Sequence, residues 1–165
     1  MINAIRQLIR PVGTTDVVVI GAGHAGLASS YFLSQQSIDH VVLERGEIAN
    51  SWRNERWDSL KLLTPNWQSR LPGFEYAGED PDGFMSMPEV IEFIEEYAKF
   101  STAPVKTHTT VQSVQRHMDN YRVVTNRGVW HAKTVVIASG ACNIANKPRV
   151  SEDVPKGIAS MTAHD

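Results

Sequence analysis

Two hydrophobic periods alternate along this chain. Residues 16–20 (Asp-Val-Val-Val-Ile) make a short β-branched run stopped by glycine, which predicts a strand buried on both faces. Residues 24–36 place Ala25, Leu27, Ala28, Tyr31, Phe32 and Leu33 at helical spacing. Residues 40–43 (His-Val-Val-Leu) read as a second buried strand. Strand, helix and strand in that order predict a βαβ unit with parallel strands and a right-handed crossover. Residues 88–100 return to the helical period. Val90, Ile91, Ile94, Tyr97 and Ala98 form one face, Glu89, Glu92, Glu95, Glu96 and Lys99 the other, and Pro88 suits the first turn. Period-two segments Thr109–Arg116, Tyr121–Thr125 and Val129–His131, with turns at Asp119-Asn120 and Asn126–Gly128, predict a β-meander. Residues 134–138 (Thr-Val-Val-Ile-Ala) are again a buried strand, closed by Ser139-Gly140.

Between these elements lies residues 45–87, a long stretch rich in proline, glycine and charge that also carries Trp52, Trp57 and Trp67. A connection of that length inside a compact domain is either functional or disordered, and its tryptophans argue against disorder.

Composition narrows the class. At 165 residues, 42% hydrophobic and 21% charged, the chain suits one soluble globular domain with a real core. A net charge of −2 provides no basic field for nucleic acid or anionic lipid. The longest apolar runs are strand-sized, too short to span a bilayer. The first ten residues are amphipathic and lack the features of a secretory signal. Cys142 is the single cysteine, so no internal disulfide forms, which fits a cytoplasmic location. With no partner thiol, Cys142 reads as structural. The six histidines (24, 40, 108, 117, 131 and 164) show no ligand spacing, and no metal site is expected.

The sharpest signal is Gly21-Ala22-Gly23-His24-Ala25-Gly26, set between the first strand and the first helix. Gly21 permits the tight turn, Gly23 lets a pyrophosphate approach the backbone, and Gly26 lets the helix pack closely. The helix N-terminus presents unpaired N–H groups to phosphate. Glu44 follows the second strand, placed to accept hydrogen bonds from both ribose hydroxyls and to repel a 2′-phosphate. These features predict a dinucleotide site without choosing between NAD and FAD.

The segments GAGHAGLASSYFL, VVLERGEIANSWR, WDSLKLLTPNWQSRLPGF and TVVIASGACNIANKPRV together resemble the FAD-binding half of flavin-containing monooxygenases and related two-dinucleotide flavoproteins. The resemblance implies FAD as cofactor. It assigns Gly21, Gly23, His24, Ala25 and Gly26 to the pyrophosphate turn, with His24 either touching the cofactor or a spectator. It implies Glu44 at the ribose, Arg45 among the cofactor-binding residues, and Trp52 and Arg53 beside the flavin. Val111 would meet the adenine through its backbone, and Ala138, Ser139 and Gly140 would pack against the cofactor. Asn66 stands as a catalytic candidate near the flavin's reactive edge, with turn capping as its other reading.

The expected fold is therefore α/β: a Rossmann-like FAD-binding domain with a parallel sheet and an inserted β-meander, in truncated form. Residues 1–14 would be an N-terminal extension, 15–150 the FAD-binding domain, and 151–165 the start of an NADPH-binding region, with His164 matching a recurrent histidine. The family's second glycine-rich unit, for NADPH, has no counterpart here. The implied activity is NAD(P)H-dependent oxidation of a small-molecule substrate through flavin. The alternatives are a reductase or dehydrogenase that does not oxygenate, or a nucleotide-binding module without turnover. An uncovered sheet edge would favour self-association and weak FAD retention.

Overall fold

The computed structural model describes residues 11–140 and 144–162. Its first elements are β1 (Pro11–Ile20), α1 (His24–Gln35) and β2 (His40–Leu43), the expected βαβ unit. The long connection contains a short helix α2 (Asn50–Asn54), a 3₁₀ turn at Asn66–Gln68 and a small hairpin, β3 (Arg70–Leu71) with β4 (Phe74–Glu75). Then come α3 (Met87–Phe100), β5 (Val105–Lys106), β6 (Val111–His117), β7 (Asn120–Thr125) and β8 (Gly128–Ile137). One six-stranded sheet runs in the order β5-β2-β1-β8-β7-β6. The pairs β5–β2, β2–β1 and β1–β8 are parallel, while β8–β7 and β7–β6 are antiparallel. This is the Rossmann-like α/β architecture expected, a mostly parallel sheet joined to a meander.

Two strands run longer than their sequence patterns suggest. β1 starts at Pro11, so residues 11–14, expected in an N-terminal extension, lie in the sheet opposite Val129–His131. Pro11 and Gly13 mask this in the sequence, since both read as strand breakers. Proline is tolerated at the first position of a strand, and Gly13 leaves room for the Trp130 ring, which would lie 2.8 Å from a Cβ there. The segments Val129–His131 and 134–138 are likewise one strand. Ala132 between them is buried and pairs with both Thr15 and Tyr121. The meander is thus no separate insertion, because its last strand is also the parallel neighbour of β1.

Side-chain alternation on β1 builds two cores. Val17 and Val19 face α1 and α3 in a cluster with Leu27, Val42, Ile94 and Tyr97. Val18 faces the other way, in a cluster with Val41, Leu43, Val123 and Ala132 that joins the parallel strands to the meander. On α1 the packed face is Gly26, Leu27 and Ser30. Phe32, expected inside, is exposed, and Ala25 is also exposed. The close approach of Gly26 to the preceding turn sets the helix phase, and apolar content alone does not. α3 is capped as a capping box: the Glu89 carboxylate accepts hydrogen bonds from the Ser86 N–H (2.7 Å) and Oγ (2.6 Å), which lower the Glu89 pKa. Its buried face adds Met87 and Phe93 to Val90, Ile94, Tyr97 and Ala98.

The long connection is ordered by its own backbone. Leu62 N–H donates to Met85 O, and Asn66 N–H to Gly83 O, both at 2.9 Å. Among the described residues no helix is long and apolar enough to cross a membrane.

Candidate functional site

At the C-terminal ends of β1, β2 and β8 a cavity of about 750 Å³ opens, within the usual range for small-ligand sites. In open α/β sheets ligands bind at this end, in the crevice outside the carboxyl ends of the strands. The turn after β1 forms its floor. Gly21 N–H donates to Leu43 O (2.8 Å) and Ala138 N–H to Ile20 O (2.9 Å), which extends the ladder into the turn.

The three motif glycines have different neighbours. Gly21 has φ +105°, and a Cβ on it would sit 2.5 Å from Ala138 O. A Cβ on Gly26 would lie 1.8 Å from Gly21 O, so helix and turn touch there without a side chain between them. A Cβ on Gly23 would meet nothing within 4 Å, and φ at Gly23 is an ordinary −92°. Neither strain nor packing within the protein requires glycine at 23. It lines the cavity, so the missing side chain leaves room for a ligand against the backbone. The first turn of α1 leaves its leading N–H groups without intrahelical partners at the same place.

Glu44 lies beside this turn, nearly buried at 7% exposure. Its Oε2 accepts the Ala22 N–H (2.8 Å) and its Oε1 accepts the Gly46 N–H (3.0 Å). The carboxylate is thereby fixed on the cavity wall, with lone pairs left for a diol. Arg45 also lines the cavity and is ion-paired with Glu55. His24 and Ala25 line it at the helix start. The His24 ring meets Trp52 edge-on at 5.9 Å. The ring is open to solvent through the cavity, yet the surrounding protein desolvates it and lowers its pKa, which favours the neutral imidazole.

Trp52, Val111, Ala138, Ser139 and Gly140 complete the set that the sequence brought to this place, and all line the cavity. Two expected contacts are elsewhere. Arg53 turns away: its Nε donates to Ile48 O (3.1 Å), and its guanidinium pairs with Glu95 on α3. Asn66 does not line the cavity either. It is buried in the long connection, where its Nδ2 donates to Asp80 O (2.9 Å), so it ties residues 66 and 80 together. Cys142 and His164 lie outside the described residues.

Sequence reasoning missed Arg56, which lines the cavity and lies over the Trp52 ring at 5.8 Å. Arg56 lies two residues past the end of α2, where helical phase no longer applies, so no local pattern marked it, whereas Arg53, inside α2, is rotated about 100° from Trp52. Thr109 and Thr110, just before β6, were also missed. They reach the cavity because the Thr109 N–H donates to Glu44 O at 2.7 Å, a contact with no local sequence signal.

Residues 18–164 match the pyridine nucleotide-disulphide oxidoreductase family. An uncharacterized CzcO-like oxidoreductase of Geobacillus kaustophilus is 41% identical over 126 residues, 76% of this chain and 36% of that protein. A probable indole-3-pyruvate monooxygenase of Arabidopsis thaliana, YUCCA10, is 34% identical over 82% of this chain and 38% of its own length. A solved flavin-containing monooxygenase from Stenotrophomonas maltophilia superposes with a TM-score of 0.75 at 30% identity, over 84% of this chain and 42% of that one. The chain thus spans about two fifths of the length of these proteins.

Proposed function

Since this chain belongs to the pyridine nucleotide-disulphide oxidoreductase family, we propose that its cavity holds FAD. In this reading residues 11–140 form the FAD-binding part of an NAD(P)H-dependent flavoprotein monooxygenase or oxidoreductase acting on a small molecule. The observation that carries it is Gly23, a cavity-lining glycine that the protein's own conformation and packing do not require. The donor set supports it. Backbone N–H groups at the start of α1 suit a pyrophosphate, and the fixed Glu44 carboxylate suits the hydroxyls of an unphosphorylated ribose.

Bound FAD supplies two-electron chemistry, taking hydride from a nicotinamide nucleotide and passing electrons to oxygen or another acceptor. These residues bind and orient it. The Gly21 turn sets the backbone cradle, and Glu44 selects against a 2′-phosphate. Ala138 and Gly140 bring the end of β8 against the cofactor. No general acid or base is assigned among them.

The test is the visible spectrum of the purified chain after incubation with FAD and desalting. A retained flavin band, even at partial stoichiometry, is the expected result. A folded chain that retains none and shows no fluorescence change on FAD titration would overturn the assignment. If the flavin is retained, rapid mixing of the reduced form with oxygen separates a monooxygenase from a reductase that does not oxygenate.

A further inference from the structure

Three arginines cluster where the chain leaves β2 and passes through α2, and their surroundings differ. Arg45 is paired with Glu55. Arg53 is paired with Glu95. Arg56 is half-buried and lines the cavity, and among the described residues it has no carboxylate partner. Its guanidinium donates to the Glu55 carbonyl at 2.7 Å and rests on Trp52, which in turn meets His24. The side chain is therefore held in place while its charge is left uncompensated.

Position identifies the anion it fits. Glu44, Arg45, Arg56, Trp52 and His24 all line the cavity, and contacts run from Arg45 through Glu55 behind it to Arg56, and from Arg56 through Trp52 to His24 at the start of α1. Glu44 marks the ribose end, and the helix N-terminus marks the phosphate end. A half-buried guanidinium lining the same cavity, with donors in a planar fork, matches a diphosphate. A partly desolvated charge is costly unless an opposite charge meets it. Nearby His24 is disposed to be neutral, which leaves Arg56, among the described residues, as the unpaired cation of this wall.

We propose that Arg56, mounted on Trp52, grips the diphosphate of the bound cofactor; this rests on the reading of the cavity as a dinucleotide site. Arg53, the neighbour that sequence resemblance favours, would have no part in it.

Calorimetric titration of the 165-residue chain with ADP, adenosine and FAD tests this, using R56Q, R56K and R53Q. R56Q is expected to weaken ADP and FAD roughly tenfold, the scale of one charge-assisted hydrogen bond, and to leave adenosine unchanged. R56K should recover part of the loss, and added salt should weaken ADP less in R56Q than in the native chain. R53Q should bind ADP as the native chain does. Circular dichroism of each variant reports its fold. Native ADP affinity in R56Q, or an equal loss for adenosine and ADP, would overturn the role of Arg56 while leaving the nucleotide site standing. A native chain that binds neither ADP nor FAD would instead overturn the reading of the cavity, and this inference with it.

Discussion

A Cβ on Gly26 would collide with the Gly21 carbonyl at 1.8 Å, whereas one on Gly23 would point into open cavity. The two positions of one motif therefore answer to different constraints, and alanine substitution separates them. G26A forces the start of α1 off the turn and is expected to cost more than about 4 kcal/mol, visible as loss of the cooperative thermal transition. G23A is expected to keep a native melting temperature and circular dichroism spectrum while losing flavin retention, because its methyl occupies ligand space. A G23A chain that bound FAD like the native one would show that position 23 faces no cofactor.

Among the elements, α3 is joined to its neighbours by aromatic rings. Tyr97 contacts Tyr31 of α1, Phe74 of β4 and Phe100 within 6.4 Å between centroids. Tyr97 is fully buried, and among the described residues its hydroxyl has no hydrogen-bond partner. Burial, with a smaller effect from Tyr31, pushes its pKa from 10.0 up to about 12. A raised folded-state pKa means that the contribution to stability is intact below pH 10 and is lost as pH rises towards 12. The Y97F variant removes both the unsatisfied hydroxyl and the ionisation. It should melt about 2–4 °C higher, the equivalent of about 1 kcal/mol. Its stability should also fall less than that of the native chain between pH 10 and 12. A lower melting temperature at neutral pH would mean that the hydroxyl does find a partner.

For the whole molecule, the sheet has an uneven edge. β7 covers β8 only over Gly128–Ala132, and among the described residues Thr134–Ile137 pair with β1 alone. Ile137 is 74% exposed. An open stretch of strand beside the cavity is a template for pairing, and we propose that two copies of this chain associate there. Sedimentation should show mass rising with concentration. T134K, which places a charge on that edge, should shift the equilibrium towards monomer. A monomer at every concentration tested would rule this association out.

Local order was legible in the residues themselves. The β-branched runs at 17–20 and 41–43, the glycine turn and Glu44 follow from backbone sterics and short-range periodicity, which need no distant partner. Most of the cavity wall came with them, because its parts follow directly from strand ends. What required the tertiary structure depends on contacts between distant residues or on rotation about an axis. Pro11 and Gly13 become strand only because Trp130 and its neighbours lie alongside. Two apparent strands merge into β8 because Ala132 pairs on both sides. Asn66 leaves the site because the long connection folds on itself. The choice between Arg53 and Arg56 depends on where the five-residue helix ends: Arg53, inside it, pairs with Glu95, while Arg56, two residues beyond it, lies over Trp52 at the cavity. The sequence determined which chemistry gathers at the ends of the strands. The fold decided which side chains turn towards it, since direction comes from packing partners far along the chain.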